Sequence, residues 1–310
     1  MIGGTGHIGG YLVPRLLENS WEVVVVSRGN RRPADGERWR GVELVQLDRS
    51  RDEASGRWRE VLSRVDADAV VDLICFTQES ARIVYEVFSR RVEHFVHCGT
   101  AWTIGRAGVI PTPESYPPRP IISYGVEKLA IADFYVERWQ EEGFPATVLN
   151  PTNIAGAGKA PLNPYGTRDI RVLESIARGD TILLPERGET LVMPCHASDV
   201  AQAFLLALEK RGASIGQVFN VGTRYAITYN EMVRIYADVF GVKPRVKHVS
   251  MDEFEQNFGR DEGVRYHHTV HMCVDITKVS ELLGYRPVYS PEEALRDAVS
   301  WLRHTGQLGF

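Results

Sequence analysis

Residues 3–9 read Gly3-Gly4-Thr5-Gly6-His7-Ile8-Gly9, and this stretch is the most informative indication of the fold. Its glycine spacing lets a backbone turn sharply from a strand into a helix and lets a pyrophosphate approach the free N–H groups where the helix begins. The stretch therefore predicts a dinucleotide-binding loop, although glycine-rich turns alone are weak evidence. Only Met1 and Ile2 precede it. We expect either a shortened first strand or a sequence that starts inside that strand.

Composition excludes several classes of protein. A chain of 310 residues can build one large α/β domain or two smaller ones. Its net charge of −4 does not indicate the basic surface that binds nucleic acid. No apolar run approaches the roughly 20 residues of a membrane span, and no signal-peptide pattern is present, so we expect a cytoplasmic protein. The four cysteines are scattered without a CxxC pair, which indicates neither a disulfide framework nor a zinc site.

The order of segments predicts an α/β fold built on a Rossmann-like, doubly wound parallel sheet. Short β-rich runs alternate with helical stretches, which is typical of crossover helices between parallel strands. The predicted strands are residues 22–27, 42–47, 69–76, 93–98, 146–149 and 218–221. The predicted helices are residues 9–19, 79–90, 124–142, 169–178, 197–210, 229–240 and 291–303, with a long loop over 153–168. We assign residues 1–155 and about 192–224 to a dinucleotide-binding domain, and 156–191 and 225–310 to a smaller, interleaved substrate lobe.

Two further signals concern chemistry. Tyr124 and Lys128 form a YxxxK pattern at the start of a predicted helix, where the spacing puts the phenol and the ammonium on one face. A nearby ammonium favours the phenolate, so we expect a lowered pKa that makes Tyr124 a general acid/base. Thr100 follows the strand over 93–98, at the edge of a parallel sheet where ligands bind. Its hydroxyl can hydrogen-bond the substrate oxygen with which Tyr124 would exchange a proton. Each pattern alone is common.

Together these signals give a resemblance over nearly the whole chain. The sequence resembles the extended short-chain dehydrogenase/reductase superfamily, in its NAD-dependent epimerase/dehydratase branch. Further segments match that branch in order: 149–156 (LNPTNIAG), 196–201 (HASDVA), 218–222 (VFNVG), 275–278 (DITK) and 283–285 (LGY). The resemblance implies hydride transfer between a nicotinamide and a carbinol or carbonyl carbon, with Tyr124 moving the proton, Thr100 as its hydroxyl partner and Lys128 on the nicotinamide ribose.

The resemblance also implies the residues of the binding sites. Those expected to contact the dinucleotide, besides Tyr124 and Lys128, are Gly3, Thr5, Gly6, His7, Ile8, Gly9, Ser27, Arg28, Asp48, Leu73, Ile74, Cys75, Pro151 and Thr152. Those expected to contact the substrate are Thr100, Trp102, Asn153 and Arg265.

The end of the second predicted strand bears on which cofactor is used. Relatives that prefer NAD carry an acidic residue near the position of Ser27, for the ribose 2′-hydroxyl. Here Ser27 is followed by Arg28, Arg31 and Arg32, which suit a 2′-phosphate. NADP(H) is therefore favoured, with NAD(H) left open.

Other departures bear on the substrate. Relatives that eliminate water place an Asp-Glu pair directly after the catalytic Thr, but this chain has Ala101 and Trp102, so dehydration is disfavoured. Relatives that act on nucleotide sugars often hold the diphosphate with an Asn and two arginines. Asn153 and Arg265 fit two of those positions, whereas the third holds Val192-Met193, with Lys159 or Arg168 as conceivable substitutes.

Three functional hypotheses remain. The first is an epimerase or oxidoreductase of a sugar-like substrate, with or without a linked nucleotide. The second is an NADPH-dependent carbonyl reductase or alcohol dehydrogenase of a small metabolite. The third, a non-catalytic dinucleotide-binding regulator, conflicts with an intact acid/base set. No metal is expected, since His267, His268 and His271 lack an accompanying carboxylate or cysteine. By resemblance, a homodimer is expected through the helices over 79–90 and 124–142.

Overall fold

The computed structural model describes residues 1–30 and 36–309, so Arg31 and Arg32 lie outside the described residues. The strands are β1 (Val24–Ser27), β2 (Glu43–Gln46), β3 (Ala69–Asp72), β4 (His94–Cys98), β5 (Ala146–Pro151), β6 (Asn153–Ala155), β7 (Ile182–Pro185), β8 (Leu191–Val192), β9 (Pro194–His196), β10 (Val218–Val221), β11 (Ile227–Thr228) and β12 (Val246–Val249). The helices are α1 (His7–Glu18), α2 (Arg49–Ala54), α3 (Arg57–Leu62), α4 (Gln78–Phe88), α5 (Ser123–Glu142), α6 (Ile170–Ala177), α7 (Ala197–Glu209), α8 (Arg211–Ser214), α9 (Tyr229–Phe240), α10 (Met251–Phe258), α11 (Glu262–Thr269), α12 (Thr277–Leu283) and α13 (Pro291–His304).

The main sheet is parallel and doubly wound, as the sequence predicts. β10, β5, β4 and β3 pair in that order, and β1 pairs with β2. Helices α1 and α7 cover one face, where Leu12, Val13 and Phe204 are fully buried. The other face packs under α4 and α5, with Phe95 and Tyr135 in contact at 4.7 Å between ring centroids. This layering leaves the carboxyl ends of the parallel strands at one edge, where ligands bind in such folds.

The two halves of the main sheet are joined by the first residues of the chain. Ile2 bridges Val26 of β1 on one side and Asp72 of β3 on the other. The Ile2 N–H donates to the Val71 carbonyl at 2.8 Å, and the Leu73 N–H donates to the Ile2 carbonyl at 3.0 Å. A two-residue segment thus occupies the position of a central strand and delivers the chain directly into the glycine loop.

A groove of about 170 Å³ runs between β1 and β3 in line with Met1. Its walls come from both layers, with Leu16 and Leu208 on one face and Leu62 and Phe88 on the other.

The second half of the chain builds a separate core. β7 pairs with β12, and α6, α9 and α13 enclose a cluster that includes Ile182, Met232 and Leu295. We keep the two-lobe division as a proposal. The two lobes interleave. Val279 and Leu283 of α12 lie within residues 225–310, which the sequence assigns to the substrate lobe, but they pack into the core formed by α1 and α7.

Several elements differ from the sequence prediction. The strand expected over 69–76 ends at Asp72, and the chain then turns along the ligand-binding edge. Helices α2 and α3 have six residues each and α12 has seven, which is too short for a helical period to stand out. The loop expected over 153–168 contains the short strand β6. No helix among the described residues is long and apolar enough to cross a membrane.

Candidate active site

The glycine loop adopts a conformation that only glycine permits. Gly3 has φ +80°, and a Cβ there would lie 2.7 Å from Cγ2 of Ile74. A Cβ on Gly9 would lie 2.0 Å from the backbone oxygen of Gly4, so α1 leaves the loop without room for any side chain. Gly6 caps α1 with no side-chain hydrogen bond, which leaves the N–H groups of the first turn without a capping side chain. The loop is thus shaped to bring an anion close to the helix start.

The loop opens into a cleft of about 480 Å³ at the carboxyl ends of β3, β4 and β5. This is the edge at which a doubly wound sheet binds ligands. Predicted site residues that line the cleft are Gly3, Gly6, His7, Ile8, Leu73, Ile74, Thr100, Trp102, Tyr124, Lys128, Pro151, Thr152 and Asn153. The structure therefore brings the three residues expected to be catalytic to the same cavity as the glycine loop.

Other predicted site residues do not line this cleft. Cys75 instead presents its carbonyl to Lys128, and Gly9 packs against the loop backbone. The Ser27 hydroxyl accepts a hydrogen bond from the Gly29 N–H at 3.3 Å. Asp48 caps α2 by accepting from the Arg51 N–H at 3.3 Å. The two remaining predicted residues outside the cleft lining are Thr5 and Arg28 of the cofactor set.

Arg265 does not line the cleft, contrary to the expectation that it contacts the substrate. Arg265 lies on α11 away from the cleft lining, where it forms an ion pair with Glu255 of α10. His267, two residues further along the same helix, lines the cleft instead. The spacing of a segment cannot reveal which face of a short helix turns inward, because that is set by packing between α10 and α11.

Lys128 is held at the base of the cleft. It is 2% exposed, and its Nζ donates to the carbonyl oxygens of Cys75 at 2.7 Å and Cys98 at 2.8 Å. Burial lowers the pKa of its ammonium. These two hydrogen bonds fix the ammonium between the ends of β3 and β4 and leave one of its three donors for a ligand.

Tyr124 lies at the cleft opening, in the first turn of α5, with 39% of the residue exposed. The surrounding protein desolvates its hydroxyl and, with the nearby Cys98, raises the pKa to about 12, whereas a hydrogen bond with Thr100 lowers it. The predicted lowering by Lys128 is therefore wrong for this structure. Although the two side chains share a helix face, the ammonium is directed into the two carbonyls beneath the cleft.

Thr100 is positioned by the neighbouring strand. Its backbone N–H donates to Oδ1 of Asn150 at 2.9 Å, and its hydroxyl oxygen accepts from the Trp102 N–H at 3.3 Å. Gly99 is required beside it, because a Cβ there would lie 2.0 Å from the same Asn150 oxygen. These contacts fix the Thr100 hydroxyl next to Tyr124.

An aromatic wall stands where dehydratases of the resembled branch carry an acidic pair. Trp102 stacks on Tyr266 with centroids 4.4 Å apart and an interplanar angle of 6°. It also meets Tyr124 edge-on at 5.6 Å and His267 at 4.7 Å. Burial, the neighbouring His268 and Arg168 lower the pKa of His267 to about 3, so this ring is neutral near pH 7. The wall can therefore orient Tyr124 and a sugar-like ring but offers no carboxylate.

The charge of the cleft is one-sided. Its described lining residues include Lys128, Lys159 and Arg168 but no aspartate or glutamate. Such a lining attracts anions and disfavours a cationic ligand. Nor does any group of three His, Cys, Asp or Glu residues in the part of the chain described here have the arrangement to hold a metal ion.

Comparison with known proteins shows the family to which the chain belongs. Residues 1–222 match the model of the NAD dependent epimerase/dehydratase family. The chain belongs to this family. Among similar proteins, a dTDP-6-deoxy-L-talose 4-dehydrogenase (NAD(P)(+)) from Kitasatospora kifunensis is 27% identical, with 96% of this chain and 93% of the relative covered. A UDP-glucose 4-epimerase from Streptomyces lividans is 24% identical, with coverages of 96% and 94%.

Solved structures confirm the fold. A UDP-glucose 4-epimerase from Thermotoga maritima, solved with UDP-glucose, superimposes with a TM-score of 0.75 at 26% identity, with 98% of each chain covered. This family member is accordingly an NAD(P)-dependent enzyme of the short-chain dehydrogenase/reductase type.

The residues present fit a dinucleotide. Gly3 and Gly9 of the glycine loop have no space for a side chain. Two buried polar atoms of residues that line the same cleft, Oγ1 of Thr152 and Oδ1 of Asn153, have no hydrogen-bond partner among the described residues. Buried polar atoms of this kind cost free energy unless a ligand or water satisfies them. Residues available to a dinucleotide are thus Gly3, Gly6, His7, Ile8, Lys128 and Thr152.

Proposed function

We propose that the chain is an NAD(P)-dependent epimerase/oxidoreductase that acts on a carbinol or carbonyl carbon of a nucleotide-linked sugar. The observation that carries the proposal is the placement of Thr100, Tyr124 and Lys128 in the cavity that the glycine loop enters. A sensor that only binds a dinucleotide has no need of an acid/base set at that point. The non-catalytic alternative is therefore set aside.

Each residue has a distinct proposed task. When bound, the dinucleotide supplies a hydride donor or acceptor. The Tyr124 hydroxyl gives a proton to the substrate oxygen during reduction, and the Tyr124 phenolate takes a proton from it during oxidation. Thr100 hydrogen-bonds the same oxygen, which keeps the reacting carbon in position. Lys128 presents its remaining donor toward the ligand and keeps positive charge at the base of the cleft.

The substrate class is supported by charge and by similarity. A lining with three cations and no carboxylate suits a substrate that carries phosphate groups better than a neutral metabolite. Two of the similar proteins are named for dTDP- and UDP-linked sugars. Ala101 and Trp102 offer neither the acid nor the base that elimination of water requires, so dehydration is not proposed.

A net NADPH-dependent reductase is the second candidate, and the end of β1 favours it. Ser27 supplies no carboxylate for a ribose 2′-hydroxyl, and its hydroxyl is engaged by the Gly29 N–H. Arg28 is exposed directly after it. Both features suit a 2′-phosphate and support NADP(H) as the preferred cofactor.

Replacing Arg28 by Ala is expected to weaken NADPH binding at least about tenfold while NADH binding changes by less than about threefold. The lost interaction is a charge-assisted hydrogen bond to the 2′-phosphate, worth about 1.5–3 kcal/mol. Fluorescence titration with each reduced dinucleotide measures both affinities. Arg64→Ala is the control, because Arg64 lies just after α3 and pairs with Glu60 of that helix. Equal losses for the two dinucleotides would show that Arg28 does not read the 2′-phosphate.

Two measurements on the purified holoprotein separate the candidates. Mass spectrometry identifies any nucleotide that it releases, and a thermal-shift screen tests UDP- and dTDP-sugars. Retained NAD⁺ together with stabilisation by a nucleotide sugar supports the epimerase and contradicts the small-metabolite reductase. Stabilisation by NADPH alone supports the reductase and contradicts an action on nucleotide sugars.

We also propose that the protein is a cytoplasmic homodimer that pairs through α4 and α5. The proposal rests on the family resemblance, in which the corresponding helices pair across a two-fold axis. Light scattering of the protein at micromolar concentration tests it. A monomeric mass would contradict it.

A further inference from the structure

We infer that Arg168, assisted by Lys159, is the anchor for the substrate's diphosphate in this chain. The inference rests on the proposed function and identifies which residues adapt the cleft to a phosphorylated substrate. It concerns the loop between β6 and α6, in which Lys159 and Arg168 line the cleft.

Arg168 is a cation without a carboxylate. Its guanidinium donates to two carbonyl oxygens, those of Ala160 at 2.6 Å and Ile154 at 3.1 Å. No acidic side chain in the described part of the chain forms an ion pair with it, and burial lowers its pKa. A half-buried guanidinium is costly unless an anion completes its environment. Because Arg168 lines the cleft, that anion can come from a ligand.

The loop is fixed at the glycine loop, so its cations are held in place. Nε2 of His7 lies 2.9 Å from the Ala157 carbonyl oxygen, and the Tyr11 hydroxyl donates to the same oxygen at 3.2 Å. On the other side, the Ala157 N–H donates to Asp297 of α13 at 2.7 Å. Lys159 lies two residues further on and lines the cleft. Such pre-organisation reduces the entropy lost when a ligand is bound.

The field at this end of the cleft is positive. Burial is the main cause that lowers the pKa of His7 and of His267. Arg168 lowers both further, and Lys159 also lowers that of His7, which places the guanidinium within electrostatic reach of both rings. With both histidines neutral near pH 7, Arg168 and Lys159 carry the positive charge. Arg168 contributes a planar fork that suits phosphate oxygens, and Lys159 contributes a point charge.

The two positions at which the family resemblance predicts arginines for the diphosphate supply no cation to the cleft. Arg265 is engaged with Glu255 outside the cleft lining. Val192 is buried in β8, where it pairs with Ile227 of β11 and carries no charge. The cleft therefore relies on the 156–168 loop for its second source of positive charge.

Isothermal titration of the dinucleotide-loaded protein with UDP, dTDP and the uncharged nucleosides uridine and thymidine tests the inference. Arg168→Gln is expected to weaken binding of the preferred diphosphate at least tenfold, and Lys159→Gln about threefold to tenfold. Arg168→Lys, which keeps the charge without the fork, should fall between wild type and Arg168→Gln. Nucleoside binding should change by less than twofold. Arg265→Gln is the matched control and should leave diphosphate binding within twofold of wild type.

The outcomes separate this inference from the proposed function. If wild type binds UDP or dTDP and Arg168→Gln binds it equally well, the anchor is elsewhere and only the inference fails. If Arg265→Gln weakens binding as much as Arg168→Gln, the assignment of Arg168 also fails. If wild type binds NAD(P)H but neither diphosphate at millimolar concentration, the proposed substrate class fails. Should Arg168→Gln not fold, the graded loss in Arg168→Lys and Lys159→Gln decides the question.

Discussion

Tyr124→Phe is expected to lower kcat by about 10²- to 10⁴-fold, the range that a positioned general acid/base contributes. The variant keeps the ring that meets Trp102 edge-on and removes only the hydroxyl beside Thr100. Its melting temperature and dinucleotide affinity should therefore stay close to those of wild type. Steady-state kinetics with the best substrate from the nucleotide-sugar screen measure the loss.

The pH profile gives a second readout for the same residue. The raised pKa of Tyr124 keeps the hydroxyl protonated near pH 7, which suits proton donation during reduction. Oxidation needs the phenolate, so its rate should increase as the pH rises toward that pKa, and this increase should disappear in Tyr124→Phe. Ser123→Ala, whose hydroxyl donates to Glu262 at 2.8 Å, is the neighbouring control. Retained activity with an unchanged pH profile would remove Tyr124 from the mechanism.

Gly9→Ala is expected to disrupt dinucleotide binding at least about 100-fold and to destabilise the fold by several kcal/mol. The added methyl would lie 2.0 Å from the Gly4 oxygen and 2.7 Å from its Cα, and a backbone cannot give way as a flexible side chain can. To relieve that overlap α1 must shift away from the loop. The N–H groups at the start of the helix then lie too far from the pyrophosphate of the dinucleotide to bind it.

Gly10→Ala is the matched control for that prediction. It lies one residue further along α1, is exposed, and its Cβ would meet nothing within 4 Å. The substitution is expected to stabilise the protein by about 0.5–1 kcal/mol, because alanine loses less backbone entropy in a helix. Chemical denaturation and dinucleotide titration on both variants provide the test. Equal behaviour of the two variants would contradict the tight packing of α1 against the loop.

The parts of this molecule that depend on local patterns could be predicted from its sequence. The glycine loop could be predicted because its glycine spacing is followed along the chain by alternating strands and helices, which together favour a dinucleotide-binding fold. The strands β1 to β5 and β10 were predicted because each lies in a short run rich in β-forming residues between helical or turn segments. Thr100 and Tyr124 could be placed at the cleft because parallel strands end at one edge of the sheet.

What depends on packing could not be predicted. Arg265 forms an ion pair with Glu255 on the preceding helix and does not line the cleft. Sequence spacing does not reveal this contact. The pKa of Tyr124 follows from where the Lys128 ammonium is directed, which is toward two carbonyls at the ends of strands distant in sequence. Ile2 joins two strands through hydrogen bonds of its backbone, which composition does not reveal.

We propose that this chain transfers hydride to or from a nucleotide sugar with Tyr124 as its acid/base. The near-ultraviolet absorbance of reduced nicotinamide, followed after the dinucleotide-loaded enzyme is mixed with UDP- and dTDP-sugars, tests this directly. We expect a transient or net change in absorbance with at least one sugar, slowed at least about 100-fold in Tyr124→Phe at equal dinucleotide occupancy. No change with any sugar, or equal rates in the two proteins, would contradict it.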